Sequence, residues 1–367
     1  MFLVSFLAIS MSLISTNGQF ITDKSNPSLM GNGNGSSLVP AMYIMGDSSV
    51  DCGENNPFYP FLHRTFSLVP CDGSDNTLLP YLLAEKMGLL NTSLFFGQDG
   101  SIEGIRYGLN YGSAHSTIIK SESQSHQSLN QQLRQVFETF QLLQLQLSEE
   151  TAQHFIRSSI FYLSFGRDDY VDLFLGNSSG IMLKYSGQEF ARILVNQIVH
   201  AIRSLYDANV RKIVCMGILP LGCTPRTVSD WHNATAVDGR GCLEEINELV
   251  LQYNIMLDEH IIELNSEYPD AQIIFCDAYQ GIMEIIANPL LFGFEDSKNA
   301  CCGLGLHGAI ISCLSAAMAC NQPSAFVWWD LYNPSQRVNS FLADSAWSGQ
   351  SLSGICSPIT VQDLFYS

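Results

Sequence analysis

Four short apolar runs, residues 41–45, 160–165, 212–216 and 271–275, recur along this 367-residue chain, each bounded by Gly, Pro or Asp. Between them lie longer stretches with helical spacing. Leu129, Leu133, Val136, Phe137, Phe140, Leu143 and Leu147 recur at helical intervals, as do Phe190, Leu194, Ile198 and Leu205, and then Ile246, Leu249, Val250, Tyr253, Leu257 and Ile261. Strands that alternate with helices need crossover connections. The pattern therefore predicts an α/β fold with a mostly parallel sheet covered on both faces. In such sheets ligands bind beyond the carboxyl ends of the strands, which directs attention to the residues just after each run.

The composition agrees with a packed domain: 46% hydrophobic residues against 14% charged leaves ample material for a core. The formal charge of −18 excludes nucleic acid as a partner, since that contact needs basic patches to displace counterions. It also disfavours anionic membrane surfaces. Residues 1–14 carry no charge and read, with the small residues up to Gly18, as a signal peptide over 1–18. Residues 19–40, rich in Asn, Gly and Ser, read as a flexible leader, 41–350 as the folded domain and 351–367 as a C-terminal tail. No later run is long and apolar enough for an integral membrane segment.

Two further features point to the secretory route. Asn34, Asn91, Asn177 and Asn233 each head an N-x-Ser/Thr glycosylation acceptor without a middle proline. Eleven cysteines suit an oxidising compartment, and those between Cys301 and Cys320 lack the paired spacing of a zinc site. Disulfides are therefore expected, with Cys301 or Cys302 joined to Cys313 or Cys320 and Cys223 to Cys242. The odd count leaves at least one thiol free or paired between chains.

After the first run comes Gly46-Asp47-Ser48-Ser49. A serine on a tight turn at a strand end is a candidate nucleophile, although a Gly-Asp-Ser turn by itself is ordinarily only a turn. Its context adds weight. The surrounding block, 43–56, is succeeded in order by Gly108-Leu-Asn-Tyr-Gly-Ser-Ala114, by Leu163-Ser-Phe-Gly-Arg-Asp-Asp-Tyr170, and by Phe326-Val-Trp-Trp-Asp-Leu-Tyr-Asn-Pro-Ser335 leading into 343–349. With 217–225 and 300–305, these blocks resemble plant-type GDSL esterases and lipases of the SGNH hydrolase superfamily, over nearly all of 41–349.

The resemblance implies a three-layer α/β/α domain with a parallel five-stranded flavodoxin-like sheet, and serine ester hydrolysis without cofactor or metal. By position, Ser48 is the nucleophile and Asp330 the acid that orients a base three residues later. The oxyanion hole falls to the Ser48 N–H, the Ala114 N–H and the residue at 168. Two side chains depart from that pattern. Asn333 stands where the base belongs, and a carboxamide has no useful proton affinity. Asp168 stands where an Asn should donate, and an ionised carboxylate only accepts. Losing the base of a triad costs on the order of 10⁴- to 10⁶-fold in rate, and losing an oxyanion donor roughly 10²- to 10³-fold. His115 is the one histidine placed to act as a substitute base.

Remaining motifs take structural readings: Trp328 and Trp329 pack the last strand, Gln141, Gln144 and Gln146 face solvent, and Lys298 lies beside a structural Cys301. Two functions remain open, from different classes. One is a weak hydrolase of acyl esters; the other is a non-catalytic relative holding a lipid, an acylated sugar or a partner protein in the same cleft. Asn333 and Asp168 are the residues that discriminate between them.

Overall fold

The computed structural model describes residues 40–51, 55, 78–89, 92–119, 127–176, 180–231 and 238–367. Strand β1 (Met42–Gly46) is followed by helix α1 (Leu79–Lys86) and two short strands, β2 (Ser93–Leu94) and β3 (Leu109–Asn110). Helices α2 (Leu129–Gln146) and α3 (Glu149–Ser158) lead into β4 (Ile160–Ser164), α4 (Gly187–Asp207) and β5 (Lys212–Met216). Then come α5 (Pro225–Asp230), α6 (Glu244–Glu267), β6 (Gln272–Cys276) and α7 (Ala278–Ala287). The chain closes with β7 (Asp296–Ala300), β8 (Phe326–Trp328), α8 (Gln336–Ser348), β9 (Cys356–Ser357) and α9 (Val361–Tyr366).

The sheet runs β2-β3-β1-β4-β5-β6-β9. Neighbours are parallel through β6, and β9 closes the edge antiparallel. The expected parallel α/β sheet is present, with a correction: it has seven strands, not five. The additions, β2 and β9, are two residues each, too short to leave an apolar run. Central strands β1, β4 and β5 are buried along their whole length, as expected of a sheet with helices on both faces.

Helix α4 shows why the sequence chooses this packing. Ser186 and Glu189 form a reciprocal capping box at its start. Phe190, Leu194, Ile198, Ile202 and Leu205 then bury one stripe at helical spacing. Asn209, at φ 74°, ends the run in the left-handed region that Asn tolerates. Helix α2 keeps its glutamines Gln141, Gln144 and Gln146 exposed, as expected.

Disulfides join Cys223–Cys242 as expected, resolve the open alternatives as Cys301–Cys320 and Cys302–Cys313, and also join Cys276–Cys356. The last ties β9 to β6. Residues 351–367 are therefore not a tail: they supply an edge strand and a helix that buries Val361, Leu364 and Phe365. Cys215 is a free, buried thiol.

The tryptophans are buried packing residues as expected, but their strand is not part of the main sheet. Strand β8 lies outside the main sheet, paired in parallel with β7. Trp328 is fully buried, and its indole N–H donates to the Ser297 carbonyl at 3.1 Å. Trp329 packs with Leu78 beside the paired cysteines 301 and 302. Backbone N–H groups of Cys301 and Cys302 donate to the carbonyls of Trp328 and Trp329. Two disulfides thus brace the segment that enters the 330–333 loop. The four glycosylation acceptors, the 1–18 signal peptide and all of the 19–40 leader but its last residue lie outside the described residues.

Candidate active site

Ser48 sits on the turn after β1, closed by the Val50 N–H to the Asp47 carbonyl at 3.1 Å. The turn needs Gly46: a β-carbon there would lie 2.5 Å from the Ser164 oxygen. Buried Gln132 of α2 holds that glycine on both sides, accepting from its N–H at 2.9 Å and donating to its carbonyl at 2.8 Å. Asn55 braces the neighbouring block with bonds to the Asn110 and Gly112 carbonyls, both 2.7 Å. Buried polar groups this well satisfied fix a turn firmly.

The opposite wall comes from the ends of β4 and β8. Asp168 Oδ2 accepts from the Ser48 hydroxyl at 2.5 Å and from the Ser48 N–H at 2.9 Å. Its other oxygen meets Arg167 Nε at 3.3 Å. The same guanidinium donates through Nη1 to Asn333 Oδ1 at 2.7 Å. Asn333 Nδ2 donates to Asp330 Oδ2 at 2.9 Å, while Asp330 Oδ1 accepts from the Tyr332 and Asn333 N–H groups. The result is one chain, Ser48–Asp168–Arg167–Asn333–Asp330. Every member has a partner.

Electrostatics reflect this packing. Arg167 and Asp168 are both more than 90% buried, so neither charge is stable without the other. Burial is the main influence on the guanidinium and opposes its charge, but Asp168, Asp47 and Asp330 together hold its proton more tightly than usual. Asp47, fully buried behind Ser48, has its pKa pushed up to about 6 by burial and by the Asp168 charge. Burial likewise raises the Asp169 carboxyl, which caps the Ile118 and Ile119 N–H groups.

The structure brings Ser48, Asp168, Asp330 and Asn333 together on one open cleft of about 640 Å³. Ala114 lines the same cleft, but its N–H donates to Asp51 Oδ2 at 2.9 Å. It is the His115 N–H that reaches Ser48 Oγ, at 2.9 Å. The Ala114 N–H is therefore already engaged, and the neighbouring N–H is the one that meets Ser48. His115 adopts φ 60°, a left-handed conformation uncommon outside glycine. Its ring Nδ1 lies 2.9 Å from Asp172 Oδ2, a contact that raises its pKa.

Sequence reasoning passed over Gln132, Arg167 and Asp172. Arg167 left a signal: a lone cation directly before two acids, at the end of an apolar strand. Gln132 left only a polar residue in the apolar stripe of α2.

A parallel α/β sheet with a serine on the β1 turn and an acid three residues before the 333 position defines a serine-hydrolase type of scaffold. Residues 42–346 match the family model for GDSL-like lipases and acylhydrolases, and the chain belongs to that family. It is 28% identical to the Arabidopsis thaliana protein named GDSL esterase/lipase At1g71250, over 98% of this chain and 95% of that one. It is 27% identical to GDSL esterase/lipase 7 of the same plant, over 90% and 95% respectively. A third Arabidopsis thaliana relative, GDSL esterase/lipase At1g71691, is 26% identical over 99% and 97%.

Proposed function

We propose that this chain is a secreted GDSL-family protein whose cleft binds an acyl-ester ligand, a lipid or an acylated sugar, with ester hydrolysis weak or absent. One observation carries the reading: the Asp168 carboxylate accepts from both the N–H and the hydroxyl of Ser48. Hydrolysis needs that N–H for a developing oxyanion, and it needs the hydroxyl proton to leave toward a base. A carboxylate in this position places negative charge where negative charge must form. Asn333 supplies no base, and its amide is already bonded to Arg167 and Asp330.

Family membership supports an ester-hydrolase ancestry and an ester or lipid ligand. Among the described residues no helix is long and apolar enough to cross a membrane. The apolar leader, the four acceptor asparagines and the disulfides support secretion, and enzymatic deglycosylation should shift the protein's mobility.

The decisive assay is turnover of p-nitrophenyl acetate by protein from a secretory host. Wild type should differ little from Ser48→Ala. Brisk hydrolysis abolished by Ser48→Ala would overturn the reading and make His115 the first base to test.

A further inference from the structure

Residues 299–329 contain no Asp, Glu, Lys or Arg, in a chain that carries 35 acids and 17 Lys or Arg elsewhere. The middle of this stretch puts Leu304, Leu306, Ile310, Ile311 and Leu314 at the surface, each 44 to 51% exposed. The backbone beneath them is braced. Leu304 and Ile311 face each other across a pair of backbone hydrogen bonds, both 3.1 Å. Disulfides Cys302–Cys313 and Cys301–Cys320 close the loop at its base. Helix α5 holds it from one side: Ser229 Oγ donates to the Leu306 carbonyl at 2.8 Å, and Arg226 Nη1 donates to the Ala309 and Ile310 carbonyls at 3.2 and 3.3 Å. The N–H groups of Gly308, Ala309 and Ile310 are bonded within the loop. Protein thus satisfies these backbone groups while the aliphatic side chains remain in water.

We propose that the 304–314 loop docks this protein onto the surface of an uncharged lipid phase. Exposed apolar patches mark interaction sites, and their composition separates the partners. A protein partner is gripped by aromatic and Arg anchors with directional polar bonds, and Leu is under-represented among such anchors. Here the exposed large side chains are all Leu and Ile, and no Asp, Glu, Lys or Arg lies among them to set a register. A lipid interior asks for something else: apolar side chains on a backbone whose polar groups are already paired. The loop meets both conditions. The formal charge of −18 opposes an anionic surface, which leaves an uncharged one. Position agrees as well. Ser312 and Cys313 of the loop line the cleft that holds Ser48, and so does Trp231, 45% exposed just after α5. A Trp between apolar surface and water suits a lipid boundary. Docking here brings the mouth of the cleft to the lipid, so the proposal rests on the reading of that cleft as a site for an acyl-ester lipid.

Adsorption is read by sedimentation without turnover, so its failure is distinct from a failure of the esterase assay. Full-length protein from a secretory host is mixed with sucrose-loaded vesicles of phosphatidylcholine. The expected result is saturable partition onto the vesicles that raised salt leaves intact, and weaker partition onto vesicles of phosphatidylserine. Leu304→Ser with Ile311→Ser should lower the partition at least about tenfold, because binding scales with the apolar area buried. Ile310→Asp, a single change at an exposed position, should do the same with an unchanged melting temperature. Leu145→Ser serves as control, because Leu145 is 82% exposed toward the end of α2 remote from Gln132; it should leave partition unchanged. No partition onto phosphatidylcholine would overturn the proposal, as would partition undiminished in both loop variants. Stronger partition onto phosphatidylserine would overturn it too. So would self-association that both loop variants abolish while vesicles stay unbound, since the loop would then join two copies of this chain.

Discussion

The two walls of the cleft have different chemistry. On one side, Gly46, Gln132, Asn55 and Asn110 hold the Ser48 turn with buried, fully satisfied hydrogen bonds. On the other, Arg167, Asp168, Asn333 and Asp330 form a hydrogen-bonded network of their own. The first wall's bonds also fold the chain, since losing one leaves a buried polar group unpaired. The second wall's side chains can change together at little cost, provided each acid keeps a donor. On the proposed reading a nucleophile's seat and its chemistry are separable, and the fold protects the seat.

The sharpest way to break this contrast is to rebuild the second wall. Asn333→His with Asp168→Asn should return a base that Asp330 orients and a donor beside Ser48. The double variant should exceed wild-type esterase turnover by at least about 10³-fold, and exceed either single change clearly. Equal rates in all four proteins would show that the first wall too has lost its function.

Next in size is Arg167→Met. It strands the buried Asp168 charge, with Asp47 close behind, and should cost about 3 to 5 kcal/mol in chemical denaturation. A loss under about 1 kcal/mol would mean that the network is decorative.

On the first wall, Gln132→Leu leaves the Gly46 N–H without its partner and the Gly46 carbonyl with only the Ser113 N–H. A loss of about 2 to 3 kcal/mol is expected. Unchanged stability would show that Gln132 does not fix the turn.

The smallest effect is a pH difference. Asp47 ionises at about 6 in the fold against 3.8 ordinarily, because burial penalises its charge. A raised carboxyl contributes its full stability below about pH 4 and loses it as pH rises through 6. Relative to wild type, Asp47→Asn should therefore gain about 2 kcal/mol between pH 4 and pH 7. Parallel stability curves would contradict the placement of Asp47 behind Ser48.

Much of the frame was legible from local pattern. The runs at 41–45, 160–165, 212–216 and 271–275 match β1, β4, β5 and β6 to within a residue, because a buried parallel strand is a continuous apolar run. Cys223–Cys242 and bridging between 301 or 302 and 313 or 320 were readable from spacings of 11 to 19 residues, though not which of these four pairs with which, whereas Cys276–Cys356, 80 residues apart, left no local trace. The 351–367 segment was misread for the same reason. At the site, Asn333 and Asp168 were visible as residue identities at motif positions. The bonds that give them meaning were not. Arg167 reaches Asn333 across 166 residues and Gln132 reaches Gly46 across 86. Nor does anything in the sequence say that Asp51 accepts from the Ala114 N–H.

If Asp168 holds Ser48 in an unreactive state, reactivity toward a fluorophosphonate probe, read by intact mass, shows it most directly. Such probes capture only an activated serine beside a working oxyanion hole. Wild type should stay unmodified over hours, while the Asp168→Asn, Asn333→His variant should gain one adduct that peptide mapping places on Ser48. Rapid stoichiometric labelling of wild-type Ser48 would contradict the claim.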